Sequence, residues 1–461
     1  MKYFLQLPCL LGILFSMQLK AQQPDTLSLK QAWDQAYKTY PALAGQQALI
    51  GEYQMRKQEV QSHSLPQLQF QLQNSFGTFA GSTGAFFPVP GVFNVTGNAV
   101  PNGTQPKTAA NTFGSVLMDW KVFEFGKQHN AIKGANYQVE AAKSSYNATQ
   151  ISLQVKVSRL YFDVMYSNAN LDWTDRNLNR VKEILELTKS LTQAGLKPGA
   201  DTLLASSSYA QAKAYQNEWR GKYNASRVNF TEVVPQNNFV IPHQYFMSSK
   251  NLEVIADTIS ADHPYLQVLN NQVLYEQTQK DIAARKALPS LSILGGLSSR
   301  GTGINVDGTI ESGIASGYRN YANNYLVGVG LSWNISGAFT SSLEKKRVEK
   351  TIQVQQAKYE QQKLQMNTSL NAVTTRIVQQ KQQIEQSHIA VNTAKEAYTL
   401  YLSRYESGLI NLTELLQIQS ILQKAEKEAI EAQEVLWDLL ITQSEISGDF
   451  NILSNQFNQK P

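Results

Sequence analysis

The sequence predicts a mainly α-helical, internally duplicated chain, in which each half combines a long antiparallel helical hairpin with two short β-strands. Landmark residues recur in the same order in both halves, and two long stretches, residues 136–193 and 339–406, contain neither glycine nor proline. Ahead of each of these stretches, short segments alternate large apolar with small or polar residues. Stretches without helix breakers favour very long helices, whereas strict alternation favours strands with two different faces.

The duplication is defined by residue pairs at two constant offsets. The pairs are Pro41 with Pro264, Pro66 with Pro289, Trp120 with Trp333, Gly195 with Gly408, and Asp201 with Glu414. The first two pairs are 223 residues apart and the other three are 213 apart. We therefore predict a first repeat at residues 22–232, a connector at 233–251, a second repeat at 252–447 and a polar tail at 448–461.

The first 21 residues have the features of a cleaved secretory signal. Lys2 precedes an apolar run that is too short to span a bilayer, and the small residue Ala21 precedes a polar sequence. The only cysteine, Cys9, lies inside this leader and follows Pro8, which disfavours lipid attachment. The mature chain then contains no thiol, which excludes disulfides and cysteine-based catalysis or metal binding.

Each half is predicted to contain two helices that end near prolines, a very long helix, and a helix that returns after a glycine turn. The residue before a proline is pushed out of helical geometry, which explains the early stops. The predicted bounds are 28–39, 42–64 and 127–193 in the first half, and 252–261, 265–287 and 340–406 in the second. In the last returning helix, apolar residues at alternating spacings predict a coiled-coil seam. This seam consists of Leu415, Ile418, Leu422, Ala425, Ala429, Ala432, Leu436 and Leu439.

Strands are predicted at residues 67–76, 113–123, 290–297 and 325–335, with Gly-, Ser- and Asn-rich loops at 77–111 and 298–324. A soluble sheet with one face on a core would show the same alternation. However, the long helices leave no compact body to cover four apolar faces. A membrane β-barrel gives these faces a lipid solvent, and Trp120 and Trp333 near the strand ends are typical of interfacial aromatic residues. Because four strands cannot close a barrel, several chains must share one.

These landmarks, together with "FEFGK" at residues 123–127 and "RYESGLINLTELL" at 404–416, resemble the TolC-like outer-membrane efflux proteins. The resemblance covers residues 27–447. It implies a homotrimer in which each chain gives four strands to one 12-stranded outer-membrane barrel, and helices that form a periplasmic α-barrel. It also implies a periplasmic adaptor (membrane fusion) protein and an inner-membrane pump of the RND or ABC type as partners.

The resemblance also suggests functional residues at the two helical turns. The adaptor-docking tips map onto Gly195 and Leu196 in the first copy and onto Arg404, Gly408 and Leu409 in the second. Both glycines are also expected to be helix C-caps, a role that is compatible with docking. The first copy departs from the family pattern, with Leu191 opposite Arg404 and Pro198-Gly199 in place of Asn411-Leu412. Asp201 and Glu414 lie at the start of the returning helices, where a negative charge interacts favourably with the helix dipole. In a trimer these carboxylates would also form an acidic ring at the tip.

Composition and motifs exclude several other functions. The net charge of the mature chain, 39 Lys+Arg against 36 Asp+Glu after removal of Lys2 and Lys20, is too small to suggest a nucleic-acid partner. The five histidines have no metal-ligand spacing, and no catalytic constellation, cofactor motif or phosphate loop is found. The expected function is a passive exit duct for an efflux or type I secretion system. The alternatives are a secreted or periplasmic structural helical protein, such as a fibre or adhesin, and an exported hydrolase.

Overall fold

The computed structural model describes residues 25–79, 86–89, 92–94, 107–235, 239–241, 246–247, 258–307, 309–451 and 453–454. These residues form two compact units. The helical unit comprises the described residues within Met1–Tyr40, Ile151–Thr258 and Ser369–Pro461. The strand unit comprises those within Pro41–Gln150 and Ile259–Thr368. The predicted leader, residues 1–21, lies outside the described residues.

The described residues contain eight strands, seven α-helices and a 3₁₀ turn. The strands are β1 (Asp25–Thr26), β2 (Gln67–Phe79), β3 (Phe86–Val89), β4 (Val92–Asn94), β5 (Lys107–Phe123), β6 (Phe239–Val240), β7 (Ser290–Thr302) and β8 (Ala322–Ser332). The helices are α1 (Leu29–Thr39), α2 (Pro41–Ser62), α3 (Lys127–Gln193), α4 (Gly199–Phe230), α5 (Pro264–Arg285), α6 (Gly337–Glu406) and α7 (Leu412–Ser447). The 3₁₀ turn is Ile314–Tyr318.

The helices follow the predicted plan. The two very long helices, α3 and α6, have 67 and 70 residues, and both contribute residues to each unit. At the start of α1, Ser28 and Gln31 form a reciprocal capping box. The predicted helix at 252–261 is wrong where the structure describes it, because residues 258–261 form a bend and a turn, and residues 252–257 lie outside the described part. No helix in the described part of the chain combines the length and the apolarity that a membrane span needs.

In the strand unit, four strands form one antiparallel sheet in the order β2-β5-β7-β8. The strands of the first half are longer than predicted, because the ladder between β2 and β5 continues from the pair Gln67 and Asp119 to the pair Phe79 and Lys107. Backbone pairing does not require alternating large apolar side chains, so this extension, in which small and polar residues predominate, was not visible in the sequence pattern. Part of the predicted loop 77–111 is therefore strand, and β3 and β4 pair with each other inside it.

The strands of the second half are also displaced from the predicted bounds. β7 continues to residue 302 instead of 297, and β8 covers residues 322–332 instead of 325–335. The ladder between them ends at Ser290 and Ser332. Two residues later, the Oδ1 of Asn334 accepts the backbone N–H of Gly337 at 3.0 Å, where α6 begins. The polar residues after Ser332 therefore start a helix and do not prolong the strand.

The helical unit has an aromatic core at one end. Phe162 of α3 stacks on Trp437 of α7 with ring centroids 4.6 Å apart, and the indole N–H of Trp437 donates to the carbonyl of Phe246 in the predicted connector. Phe450, in the predicted polar tail, makes an edge contact with Trp33 of α1. The predicted connector and the predicted polar tail therefore both contribute residues to the packed core. Six of the eight residues of the α7 seam are buried, all except Ile418 and Ala425, whereas their pairing as a coiled coil stays a prediction.

Candidate functional site

The two helical tips have the same backbone geometry. Gly195 and Gly408 adopt left-handed φ angles of 77° and 75°. In each turn, the N–H of the residue after the glycine donates to the carbonyl five residues earlier, from Leu196 to Leu191 and from Leu409 to Arg404, both at 2.9 Å. This is the Schellman arrangement, in which the left-handed position strongly favours glycine, the residue without a Cβ. The glycines therefore have a structural role at both tips.

The residues after both glycines are large, apolar and exposed. Leu196 is 69% exposed and Leu409 is 71% exposed. Arg404 is also exposed, with its Cζ 5.8 Å from the ring centroid of Tyr401. An exposed leucine at the end of a helical hairpin gains nothing from the chain's own packing, so both leucines are free to contact a partner.

The helices that return from the tips begin differently. At the start of α7, Asn411 accepts the N–H of Glu414 at 2.9 Å and donates its amide to the Glu414 carboxylate at 2.7 Å. Pro198 occupies the corresponding position before α4 and provides no side-chain cap. Asp201 lies in the first turn of α4, which has no such cap, and its negative charge interacts favourably with the helix dipole. Glu414 thus holds the side chain of the capping residue Asn411, and the proposed acidic ring is a prediction for both Asp201 and Glu414.

Lys197 links the first tip to the second. Its Nζ donates to the carbonyl of Ile410 at 3.1 Å and lies 5.0 Å from the ring centroid of Tyr405. The Tyr405 hydroxyl in turn lies 3.1 Å from the hydroxyl of Thr188, and both of these side chains are buried. Sequence analysis did not identify this link. The one feature of the sequence that could have indicated the link is a difference between the two repeats. Lys197 and Ile410 occupy equivalent positions, and one is charged whereas the other is apolar.

A buried ion pair joins α3 to α7 further from the tips. Arg180 donates to both carboxylate oxygens of Glu426 at 3.1 and 2.5 Å, and the side chains are only 16% and 12% exposed. Bidentate pairing of this kind is the stronger class of charge-assisted hydrogen bond. Burial raises the pKa of nearby Tyr398 to about 12, and the Arg180 charge opposes this rise.

The four-stranded sheet has two chemically different faces. Its register places large apolar residues of all four strands on one side. They are Leu68, Phe70, Leu72 and Phe76 of β2, Val116, Met118 and Trp120 of β5, Leu291, Ile293 and Leu297 of β7, and Tyr325, Val327, Val329 and Leu331 of β8. The other side consists mainly of Gln, Ser, Asn and Gly, but it also carries Leu117, Leu294 and Leu326. On that side, a Cβ at Gly330 would lie 3.0 Å from the Cδ1 of Leu294, so glycine makes room for the leucine.

The two predicted interface tryptophans form matching hydrogen bonds. The indole N–H of Trp120 donates to the carbonyl of Ser64 at 2.9 Å, just after α2. That of Trp333 donates to the carbonyl of Ala287 at 3.0 Å, just after α5. Each tryptophan therefore ties the end of a strand to the preceding helix of its own repeat. This contact is compatible with an interfacial position, where one end of the ring is apolar and the other is polar.

A small acidic pocket of about 190 Å³ lies between α3 and α7, lined by Asp163, Glu434 and Asp438 next to aromatic side chains. Arg159 pairs with Asp438 at 3.4 Å. Burial raises the pKa of Asp163, and burial followed by repulsion from Asp438 and Asp163 raises the pKa of Glu434. Among the described residues, no group of three or more acidic, histidine or cysteine side chains is arranged to hold a metal ion.

Glu434→Gln is expected to flatten the pH dependence of stability. A carboxyl whose pKa is raised on folding binds its proton more tightly in the folded state, so its stabilisation is complete below the unfolded value and is lost as the pH rises. The melting temperature of the wild type should therefore fall more than that of the variant between pH 4.5 and 7.5, with a modest difference because the group is still solvent-exposed. Glu428→Gln, at an exposed position of α7, is the control. Equal slopes for all three proteins would contradict the assignment.

Comparison with known proteins places this fold in a family. The sequence model of the family described as outer membrane efflux protein matches residues 32–234 and 256–438. The chain belongs to the outer membrane efflux protein family. One of the two matched segments lies in each half of the duplicated chain.

Solved relatives of this family member share its fold at low sequence identity. The outer membrane protein VceC from Vibrio cholerae has a TM-score of 0.72 and 13% identity, with 91% of this chain and 96% of VceC covered. The MtrE outer membrane channel of Neisseria gonorrhoeae, in its open state, has a TM-score of 0.67 and 15% identity, with 95% and 96% covered. Nodulation protein T of Rhizobium leguminosarum bv. trifolii is 24% identical over 232 residues, which is 47% of this chain. The match spans about half the length of that relative, 48%.

Proposed function

We propose that the protein is the outer-membrane exit duct of a tripartite efflux or type I secretion system, and conducts its substrate passively. The observation that carries this proposal is the four-stranded sheet. One face carries large apolar residues of all four strands, most of them exposed, and in the described part of the chain β2 and β8 each pair with a single neighbour. If three chains close a 12-stranded barrel in lipid, the edge strands pair with those of the neighbouring chains and the apolar face is covered by acyl chains.

The helical hairpins fit the second part of such a duct. We propose that they project into the periplasm, and that the Gly195-Leu196 and Gly408-Leu409 tips, with Arg404, contact a periplasmic adaptor. The exposure of both leucines and the identical geometry of both turns support this role. An inner-membrane pump of the RND or ABC type then supplies the energy, since the family consists of channels and not of enzymes.

Fractionation and native mass measurement in detergent test the duct. The protein is expected in the outer membrane as a complex of three chains. A matched pair of variants tests the lipid-facing side. Val329→Lys places a charge on the apolar face and should prevent assembly, because a charge at the bilayer midplane costs about 2–4 kcal/mol in each chain. Asn324→Lys adds the same charge to the opposite face and should assemble normally.

Two results would refute this proposal. One is a single-chain mass in the soluble periplasmic fraction, which would favour a structural helical protein. The other is normal assembly of Val329→Lys, which would show that the apolar face does not meet lipid.

A further inference from the structure

The segment between β7 and β8, described at residues 303–307 and 309–321, is folded onto the strands by its own polar contacts. The side-chain amide of Asn320 donates to the carbonyls of Thr302 and Ile304 at 3.2 and 3.1 Å. Asn320 has a φ of 49°, a left-handed conformation that asparagine tolerates better than most residues. Arg319 pairs with Glu311 at 2.5 Å. These contacts give the segment a defined conformation at the end of the sheet.

Glycine contacts place the 3₁₀ turn Ile314–Tyr318 over the apolar face of the sheet. Gly301 pairs with Thr112, and both positions continue the apolar rows of β7 and β5, because side chains alternate along a strand without a bulge in this part of the ladder. A Cβ at Gly301 would lie 2.4 Å from the carbonyl oxygen of Gly317. A Cβ at Gly317 would lie 3.2 Å from the Cβ of Ala110, which belongs to the same row. The backbone of the turn thus approaches this face closely.

The turn itself has two different sides. Ser316 and Gly317 are buried against the strands, whereas Ile314 is 67% exposed and Tyr318 is 51% exposed. Folding therefore hides the small residues and presents the large apolar ones. Tyrosine is enriched at membrane interfaces, where its ring lies among the headgroups.

We propose that the turn Ile314–Tyr318 anchors the barrel in lipid, with Ile314 and Tyr318 in the headgroup region at the outer end of the strands. The inference rests on the proposed function, because it takes the apolar face to be the lipid-facing one. The occupant is lipid, since the turn lies on the same face as Tyr325 and Val327. The polar residues Ser299 and Asn323 lie on that face between the turn and these apolar residues, which places the turn at the level of the headgroups. The segment would then be a membrane contact and not a free extracellular loop.

The other part of the segment provides an internal control. Ile304 and Ile310 pair with each other and pack on Ala109, whose side chain alternates with that of Ala110 and so belongs to the opposite face. Val306, between them, is fully exposed. The part of the segment around Val306 is therefore expected to be exposed to water, whereas the turn Ile314–Tyr318 is expected to contact lipid.

Site-directed spin labelling of the assembled protein tests the proposal. Cysteines are introduced singly at Ile314, Val306 and Val327 in a Cys9→Ser background, which contains no other cysteine. All three positions are exposed, so the substitutions should not disturb folding. The labelled protein is reconstituted into vesicles of phosphatidylethanolamine and phosphatidylglycerol, and collisions with oxygen and with a water-soluble nickel chelate are measured. The ratio of oxygen to nickel collisions at residue 314 should be several-fold higher than at residue 306 and lower than at residue 327, because the headgroup region lies between water and the acyl chains.

Each other outcome has a definite meaning. Nickel access at 314 equal to that at 306, with residue 327 still lipid-exposed, would overturn the anchor and leave the proposed function intact. Shielding of residue 314 from both reagents would overturn it in favour of a protein occupant. Nickel access at residue 327 would overturn the anchor and the barrel together.

Discussion

Leu409→Asp is expected to abolish export while leaving the trimer assembled. The side chain is 71% exposed at a turn whose backbone is determined by Gly408, so the substitution removes no packing and should change the free energy of unfolding by at most about 0.5 kcal/mol. It does place a charge in the centre of the proposed apolar contact with an adaptor. Export is measured for every solute whose export fails in a strain without the gene, and the variant should match that strain.

Ser407→Asp is the matched control for this prediction. It adds the same charge two positions away, at an exposed residue of the same turn, and should retain export. The corresponding change at the first tip, Leu196→Asp, shows whether both tips contribute, since the first turn lacks the Asn411 cap and carries Lys197. Normal export by both leucine variants would exclude the tips as docking sites, and loss of trimer in either would show a structural role instead.

Arg180→Ala is expected to destabilise the helical unit by about 3–5 kcal/mol. The substitution leaves the Glu426 carboxylate in a nearly buried position without its bidentate partner, and an uncompensated buried charge carries a large desolvation cost. Denaturant unfolding of the detergent-solubilised protein, followed by far-ultraviolet circular dichroism, measures the loss.

The double variant Arg180→Met with Glu426→Leu should recover most of this stability, because apolar residues of similar volume replace the ion pair without leaving a charge. Lys143→Met is the control for an ion pair at the surface. Its partner, Glu140, lies at 2.9 Å, but both side chains are about half exposed, and the loss should be below about 1 kcal/mol. Equal losses for Arg180→Ala and Lys143→Met would show that the buried pair has no special role.

Local patterns predicted much of the fold and the positions of both tips. The bounds of α3 are those predicted, since a long stretch without Gly or Pro leaves few alternatives to a continuous helix. Gly195 and Gly408 end their helices because left-handed backbone at that position strongly favours glycine. The alternation around Val327 and Val329 predicted which residues share a face, because the side-chain period of a strand is a local property.

Contacts between distant residues were beyond these patterns. Arg180 and Glu426 are 246 positions apart, and nothing near either residue indicates its partner. Lys197 was visible only as a departure from the repeat, and its contact with Ile410 depends on how the two hairpins pack. The strand extensions were missed for a related reason, since a ladder is formed by backbone groups and its length is set by the neighbouring strand.

The sequence by itself determined the elements of this protein, their duplication, and the chemistry of each strand face and each tip, because these follow from backbone preference and side-chain period within one segment. Only the tertiary structure decided which charges are paired, which helices are linked, and on which face of the sheet the turn Ile314–Tyr318 lies. These features depend on the burial and mutual approach of segments far apart in the chain, where the energy of each contact is set by its surroundings.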